Sequence, residues 1–272
     1  MLSWLLNLGR TVLGAITHLF ANGDPYVPVP TLEESCVAHY KMNDNAASTV
    51  VLDSSGNGYH GESVRNTEDM HVDGIGGGAL EFDGVSDYVD TNDSFQSVFK
   101  DSFTINMKVN VFGDATLFGV TQTDKVHFTL SGEDQWIILE YRAGGVSVIL
   151  QSDDGTFGEF VPFIVTAVFK KLTASTIDLL IYKDGVLIKQ KGSSSVNMSD
   201  YSGTGNPYIG CRNSNEGAEE FYTGLIDNVM IFNKALNQEE IWTLYNAGRG
   251  TEDFQLTPNL NFDGSALIME GI

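Results

Sequence analysis

Cysteine is nearly absent. Cys36 and Cys211 are the only two in 272 residues, and no C-x-x-C occurs. A disulfide scaffold and a zinc–cysteine site are thereby excluded. One Cys36–Cys211 bridge and two small buried thiols both stay compatible with the sequence, the buried thiol being the commoner state. Positive charge is also scarce: 15 Lys and Arg face 36 Asp and Glu, a formal net charge of −21. Such a surface repels phosphate backbones, which argues against nucleic acid as a partner, and it suits cations. No apolar run reaches the length of a membrane span. No Gly-x-Ser-x-Gly elbow occurs, and the histidines at 18, 39, 60, 71 and 127 form no metal pair at helical spacing. Proline is sparse at 6 residues, whereas glycine is plentiful at 29. With 42% hydrophobic and 11% aromatic residues, this composition suits many short strands and turns around a sizeable core.

At the N-terminus, Leu2, Leu5, Leu6, Val12, Leu13, Ile16, Leu19 and Phe20 recur at helical spacing, and Asn22-Gly23 ends the pattern. This reads as an amphipathic helix over residues 1–23. A signal peptide would want positive charge first and an unbroken apolar stretch, whereas Arg10 is the first cation and splits it. The stripe Leu2, Leu5, Leu6, Val12, Leu13, Ile16 and Phe20 calls for a partner, either a second copy or a larger protein assembly. A single cation makes a membrane surface a poor fit. Three prolines in "DPYVPVP" then give a stiff linker, assigned to residues 24–35.

From Cys36 the pattern is β. In "SFTINMKVNV", Phe103, Ile105, Met107, Val109 and Val111 alternate with Thr104, Asn106, Lys108 and Asn110, predicting a strand with Lys108 exposed. Further strands are expected in "CVAHYKM", "ALEF", "DYVD", "KVHFTL", "QWIILEYR", "VSVILQ", "FIVTAVFK", "TIDLLIYK", "VLIKQK", "PYIGCR" and "LIDNVMIF", with a two-residue hairpin at Asp184-Gly185. So many strands with Gly-rich turns indicate a sandwich or barrel. One short late helix starts at Asn237, with Glu240 three residues on and Ile241, Leu244 and Tyr245 as its apolar stripe. The tail 251–272 carries Phe254, Leu256, Leu260, Phe262, Leu267 and Ile268, too apolar for a solvated tail.

The segments "CVAHYKMND", "DSSGNGYHG", "GALEFDGVSDYVD", "SFTINMKV", "IYKDGVLI" and "YIGCRNSNEGAEEFYTGLIDNVMIFNKALNQEEIWTLYNAG" occur in that order. Together they resemble the laminin-G-like, concanavalin A-like lectin/glucanase group over about residues 36–248; the domain is assigned to 36–250. The resemblance implies an all-β, antiparallel jelly-roll β-sandwich, and a glycan- or protein-binding module often tied to calcium. It does not reach residues 1–35 or 251–272.

Asp227 invites a metal on its own. Read as a regular strand, "LIDNVMIF" puts Asp227 on the face of Leu225, Val229 and Ile231, a carboxylate among apolar side chains. An unpaired buried charge is costly, and Ca²⁺ takes hard oxygen ligands. The turn "DSSGNG" offers Asp53 and Asn57, so Asp53, Asn57 and Asp227 form a candidate calcium site. The competing reading is that the aspartates cap turn amides. Glucanases of the resembling group carry Glu-x-Asp-x-x-Glu on one strand, whereas Glu133, Asp134 and Glu140 here have the wrong spacing. A sugar site would combine a planar aromatic with amides and carboxylates. Two loops offer these: Asp153, Asp154 and Phe157 in one, and Arg212, Asn213, Asn215 and Phe221 in the other. The expectation is a non-catalytic recognition module, glycan-binding or adhesive, outside the cell or on a particle surface and attached through its arm. The alternatives are a structural decoration protein of a virus particle or cell surface, and an atypical glucanase.

Overall fold

The computed structural model describes residues 31–73, 77–111, 115–122, 124–131, 136–153, 161–193 and 195–245. The N-terminal arm with its partner-binding stripe, the tail 251–272, and Asp154 and Phe157 lie outside the described residues. Two sheets form an antiparallel β-sandwich of jelly-roll type. The first runs β14 (Val186–Ser193), β13 (Thr176–Lys183), β12 (Phe163–Thr173), β7 (Phe103–Val111), β18 (Thr223–Phe232), β5 (Ala79–Asp83) and β4 (His71–Val72), and β1 (Cys36–Tyr40) also pairs with β18. The second runs β11 (Val146–Gln151), β10 (Trp136–Ala143), β9 (Lys125–Ser131), β8 (Ala115–Thr121), β15 (Tyr208–Ile209), β6 (Val89–Asp90), β3 (Gly61–Ser63) and β2 (Val50–Val51). Along β8 also lies β16 (Arg212–Ser214), in parallel, with β17 (Gly217–Glu219) as its hairpin partner.

The inner faces make the main core. Phe103, Ile105, Met107 and Val109 of β7 are fully buried there, as the alternation requires, and Phe103 stacks on Phe169 of β12 at 4.2 Å. Ile137, Leu139, Tyr141 and Ala143 supply the same inner row on β10. Asp184 and Gly185 both adopt positive φ (49° and 77°), the left-handed pair that a two-residue hairpin between β13 and β14 demands. Both cysteines are free and buried, and burial pushes both thiols well above their ordinary value.

The outer face of the first sheet carries a second core. Helix Gln238–Tyr245 begins with a capping box: Asn237 Oδ1 accepts from the amides of Glu239 and Glu240, and Glu240 Oε2 accepts from the Asn237 amide. Its Ile241 and Leu244 pack with Leu236, Met230, Phe232, Val168 and Tyr182. Leu32 and Cys36 join them, so the end of the expected linker is folded: Leu32–Ser35 is a helical turn with Leu32 and Ser35 buried.

Two expectations about this face are overturned. Lys108 is only 6% exposed. It does point away from the main core, but this face is covered too, and its ammonium lies 3.3 Å from Asp227 Oδ2. Asp227 also changes company. The ladder between β18 and β7 slips between Asp227 and Met230, where Asn228 takes φ 55°. That bulge resets the alternation. Val229 and Ile231 enter the main core with Ile226, whereas Met230 and Phe232 belong to the outer one. Lys108 is the cation that faces the carboxylate.

Candidate functional site

The three residues expected to hold calcium are each engaged otherwise. Asp53 Oδ1 accepts from the amides of His39 and Ser55, both at 2.9 Å, and its Oδ2 accepts from the Ser55 hydroxyl at 2.8 Å and the Tyr59 amide at 3.0 Å. A carboxylate has about four lone-pair sites, so this set fills it. Against the opposing effect of burial, these bonds hold Asp53 below its ordinary value. Asn57 turns its amide NH₂ to the carbonyls of Cys36 and Val37. The turn thus clasps the start of β1. No cluster of three or more His, Cys, Asp or Glu fit to hold a metal occurs among the described residues. Asp53 does not fit calcium, because four hydrogen bonds fill its acceptor sites, and Asp227 Oδ2 pairs with Lys108.

The ligand candidates divide. Asp153 is exposed and pairs with Lys189 at 2.5 Å. Asn215 sits exposed at the tip of the β16–β17 hairpin. Arg212 and Asn213, by contrast, belong to a built polar cluster on the outer face of the second sheet. One row crosses this face by register: Ile149 on β11, Glu140 on β10, His127 on β9, Gly119 on β8, Arg212 on β16 and Glu219 on β17. Gly119 has a reason to be glycine. A Cβ there would stand 3.0 Å from both His127 Cδ2 and Thr116 Cγ2, and 3.6 Å from Arg212 Cα.

Arg212 bridges two carboxylates, Glu219 Oε2 at 2.5 Å and Glu220 Oε1 at 3.0 Å. Glu220 Oε2 lies 3.3 Å from His127 Nε2 and accepts from the Thr116 hydroxyl at 2.8 Å. His127 Nε2 in turn lies 2.8 Å from Thr116 Oγ1 and 2.9 Å from Thr129 Oγ1. The His127 bond, then that of Thr116 and the charge of Arg212, hold Glu220 down at about 2. Ser214 and Arg212 lower Glu219 in the same direction. Glu220 itself sits at φ 55°, a left-handed backbone a glutamate seldom takes, so the cluster holds it against local preference. Asn213 is buried; it donates to the Asn206 carbonyl at 2.7 Å and accepts from Gln122 at 3.3 Å.

Beside this cluster stands a feature that strand patterns alone do not reveal. Tyr88 and Tyr208 stack at 4.4 Å, and Phe221 lies 6.5 Å from Tyr88. All three are half-buried. Tyr208 is the cross-strand partner of both Gly119 and Asp90, which fixes it next to the polar row. Burial, then the charge of Asp90, pushes the Tyr208 hydroxyl up to about 12, so it stays protonated and able to donate. The only sequence signal for the trio was Phe221 in its loop; the two tyrosines come from distant segments.

Comparison with solved structures agrees with this architecture. The binding domain of Paraclostridial Mosquitocidal Protein 1 superposes with a TM-score of 0.59 at 15% identity, covering 80% of this chain and 53% of that one. The binding domain of botulinum neurotoxin DC, solved with SialylT, gives 0.57 at 14% identity, over 80% and 52%. This chain therefore spans about half the length of those toxin domains. The CBM40 of the Ruminococcus gnavus IT-sialidase, bound to α2,3-sialyllactose, gives 0.52 at 15% identity, over 61% of this chain and 96% of that one. A search of the curated proteins gives no match. A family model described as the concanavalin A-like lectin/glucanases superfamily, of laminin-G type, matches residues 83–242, more than half of the sequence, and the chain belongs to that family.

Proposed function

We propose that this chain is a non-catalytic carbohydrate-recognition module that binds glycan on the outer face of the second sheet. The observation that carries the reading is the half-buried trio Tyr88, Tyr208 and Phe221 standing beside the Arg212–Glu219–Glu220–His127 cluster. Flat apolar rings take the C–H faces of a sugar, and fixed polar groups at their edge orient its hydroxyls. The similar structures named for binding support a recognition role at the level of the fold.

Hydrolysis fits this face poorly. A glycosidase needs one carboxylic acid kept protonated near neutral pH, opposite a second carboxylate. Glu219 and Glu220 are neighbours in sequence, share one arginine, and are both pushed down rather than up. Attachment to a larger assembly through the N-terminal arm, and a place on the cell exterior or a particle surface, complete the proposal; they rest on the apolar stripe read in the sequence. The test is a printed saccharide array probed with the purified chain, beside an assay for reducing sugar released from β-glucans. Binding without release is expected. Sustained release, abolished by one Glu substitution on this face, would overturn the non-catalytic reading, and an array with no signal would overturn glycan recognition.

A further inference from the structure

Among the described residues are three arginines. Arg65 makes a two-point contact with Asp87, at 2.9 and 2.7 Å. Arg212 holds Glu219 and Glu220. Arg142 makes no hydrogen bond or ion pair among the described residues, and its Nε is buried without a partner. In a chain with 36 acidic and 15 basic residues, carboxylates are in excess, so an arginine left without one is against expectation. Leaving a buried donor unsatisfied is destabilising, the more so for a charged group.

The surroundings of Arg142 sharpen the point. It lies on the outer face of β10, opposite the buried Ile137, Leu139, Tyr141 and Ala143. Its cross-strand partners are Lys125 on β9 and Ser147 on β11, and Lys125 in turn partners Thr121 on β8. Two cations set directly across a ladder repel each other. Lys125 is relieved only by Glu140, 3.4 Å away. A guanidinium, an ammonium and two hydroxyls thus line one row, with no acceptor of Arg142 among them. Features that break a local rule without a visible compensating gain concentrate at functional sites.

We infer that Arg142, with Lys125, is an oxyanion subsite on the sugar-binding face, and that the chain prefers saccharides bearing a carboxylate or sulfate over their neutral parents. The inference rests on the glycan-recognition reading and deepens it. Arg142 stands three strands from Tyr208 and two residues along the ladder, about 16 Å at the usual spacings, so one oligosaccharide can stack on the aromatic trio and place its charged group on Arg142. A guanidinium fork matches the paired oxygens of a carboxylate or sulfate. The net charge of −21 opposes an anionic ligand at a distance, but screening over about 8 Å at physiological salt leaves Arg142, Lys125 and the Glu140 paired with Lys125 as the charges met on contact, a net positive set.

The experiment uses an array printed with neutral saccharides alongside their sialylated and sulfated forms, followed by calorimetry on the best matched set, with wild type, Arg142→Gln and Arg142→Lys. An acidic form should bind at least tenfold tighter than its neutral parent. Whether the sialylated or the sulfated arm shows the gain tells which anion is read. Arg142→Gln should erase the preference while keeping binding of the neutral parent, and Arg142→Lys should keep part of it. Because Arg142 has no partner to lose among the described residues, Arg142→Gln should also melt no lower than wild type. Equal binding of acidic and neutral forms overturns the inference and leaves glycan recognition standing. So does a preference that survives Arg142→Gln, or a melting temperature several degrees lower, which would make Arg142 structural. An array with no signal overturns both.

Discussion

The two sheets of this sandwich treat their outer faces differently. On the first sheet, helix Gln238–Tyr245 and the Leu32–Ser35 turn pack over part of the outer face, and Lys108 and Asp227 on that face meet nearly out of solvent. On the second, the described residues leave the outer face open, its aromatics are half-buried, and its charges are arranged side by side at the surface. The same residue types therefore do different things. A carboxylate buried on the first sheet pairs with a lysine; carboxylates on the outer face of the second sheet are held by Arg212 and His127 and shape a surface.

The largest expected effect concerns the buried Lys108–Asp227 pair. Removing one partner of a buried pair leaves the other charge uncompensated and costs about 3–5 kcal/mol, whereas replacing both with apolar residues is near neutral. Asp227→Leu should thus destabilise the chain strongly in denaturant melts, and Lys108→Met with Asp227→Leu together should recover most of the loss. A small effect of the single change would mean the pair is not buried as described.

Next is the clasp at Asp53. Asp53→Ala strips acceptors from four donors and should cost on the order of 3 kcal/mol. The melting temperature of the wild type should be indifferent to calcium and to chelator. A rise of several degrees with calcium would show that an ion displaces these hydrogens and would restore the calcium reading.

The smallest effect concerns the open face and pH. Glu220 is held at about 2 against an ordinary 4.5. A depressed carboxyl contributes stability that is present above its unfolded value and lost as pH falls through the folded one. Its share should therefore fade between pH 4.5 and about 2. Because the carboxylate is over a third exposed, that share is on the order of 1 kcal/mol after allowing for screening. Glu220→Gln should flatten this part of the acid profile; an unchanged profile would show that the cluster is not formed in solution.

Much of the fold was legible in the sequence because alternation is a local signal. β7 and β10 follow from it, β9, β11 to β14 and β18 from runs of β-branched and apolar residues bounded by turns, and the Asn237–Glu240 capping box from residue chemistry. Short strands such as β2, β3 and β4, two or three residues each, carry too little pattern to see. β8 was missed for another reason: "ATLFGVT" is buried almost throughout and does not alternate. The bulge at Asn228 was invisible, since one residue of left-handed backbone leaves no periodic trace, and missing it put Asp227 on the wrong face. The burial of Lys108 depends on tertiary packing that strand alternation does not report. Of the candidate site, Arg212, Asn213 and Phe221 could be read from one polar loop. Tyr88 and Tyr208 are 120 positions apart and meet only because β6 and β15 pair. Arg142 was visible as an outward residue of "QWIILEYR", but no sequence shows that an arginine lacks a partner.

The claim that the open face binds glycan is tested most directly by comparing two aromatic truncations. Trp242 is the larger exposed aromatic, 58% accessible, but it stands on the helix that roofs the first sheet. Tyr208 is half-buried on the open face. Calorimetric titration of the best array saccharide into wild type, Tyr208→Ala and Trp242→Ala should show about a tenfold loss of affinity, about 1.4 kcal/mol, for Tyr208→Ala and none for Trp242→Ala. A loss with Trp242→Ala and none with Tyr208→Ala would place recognition on the roofed side and contradict the account.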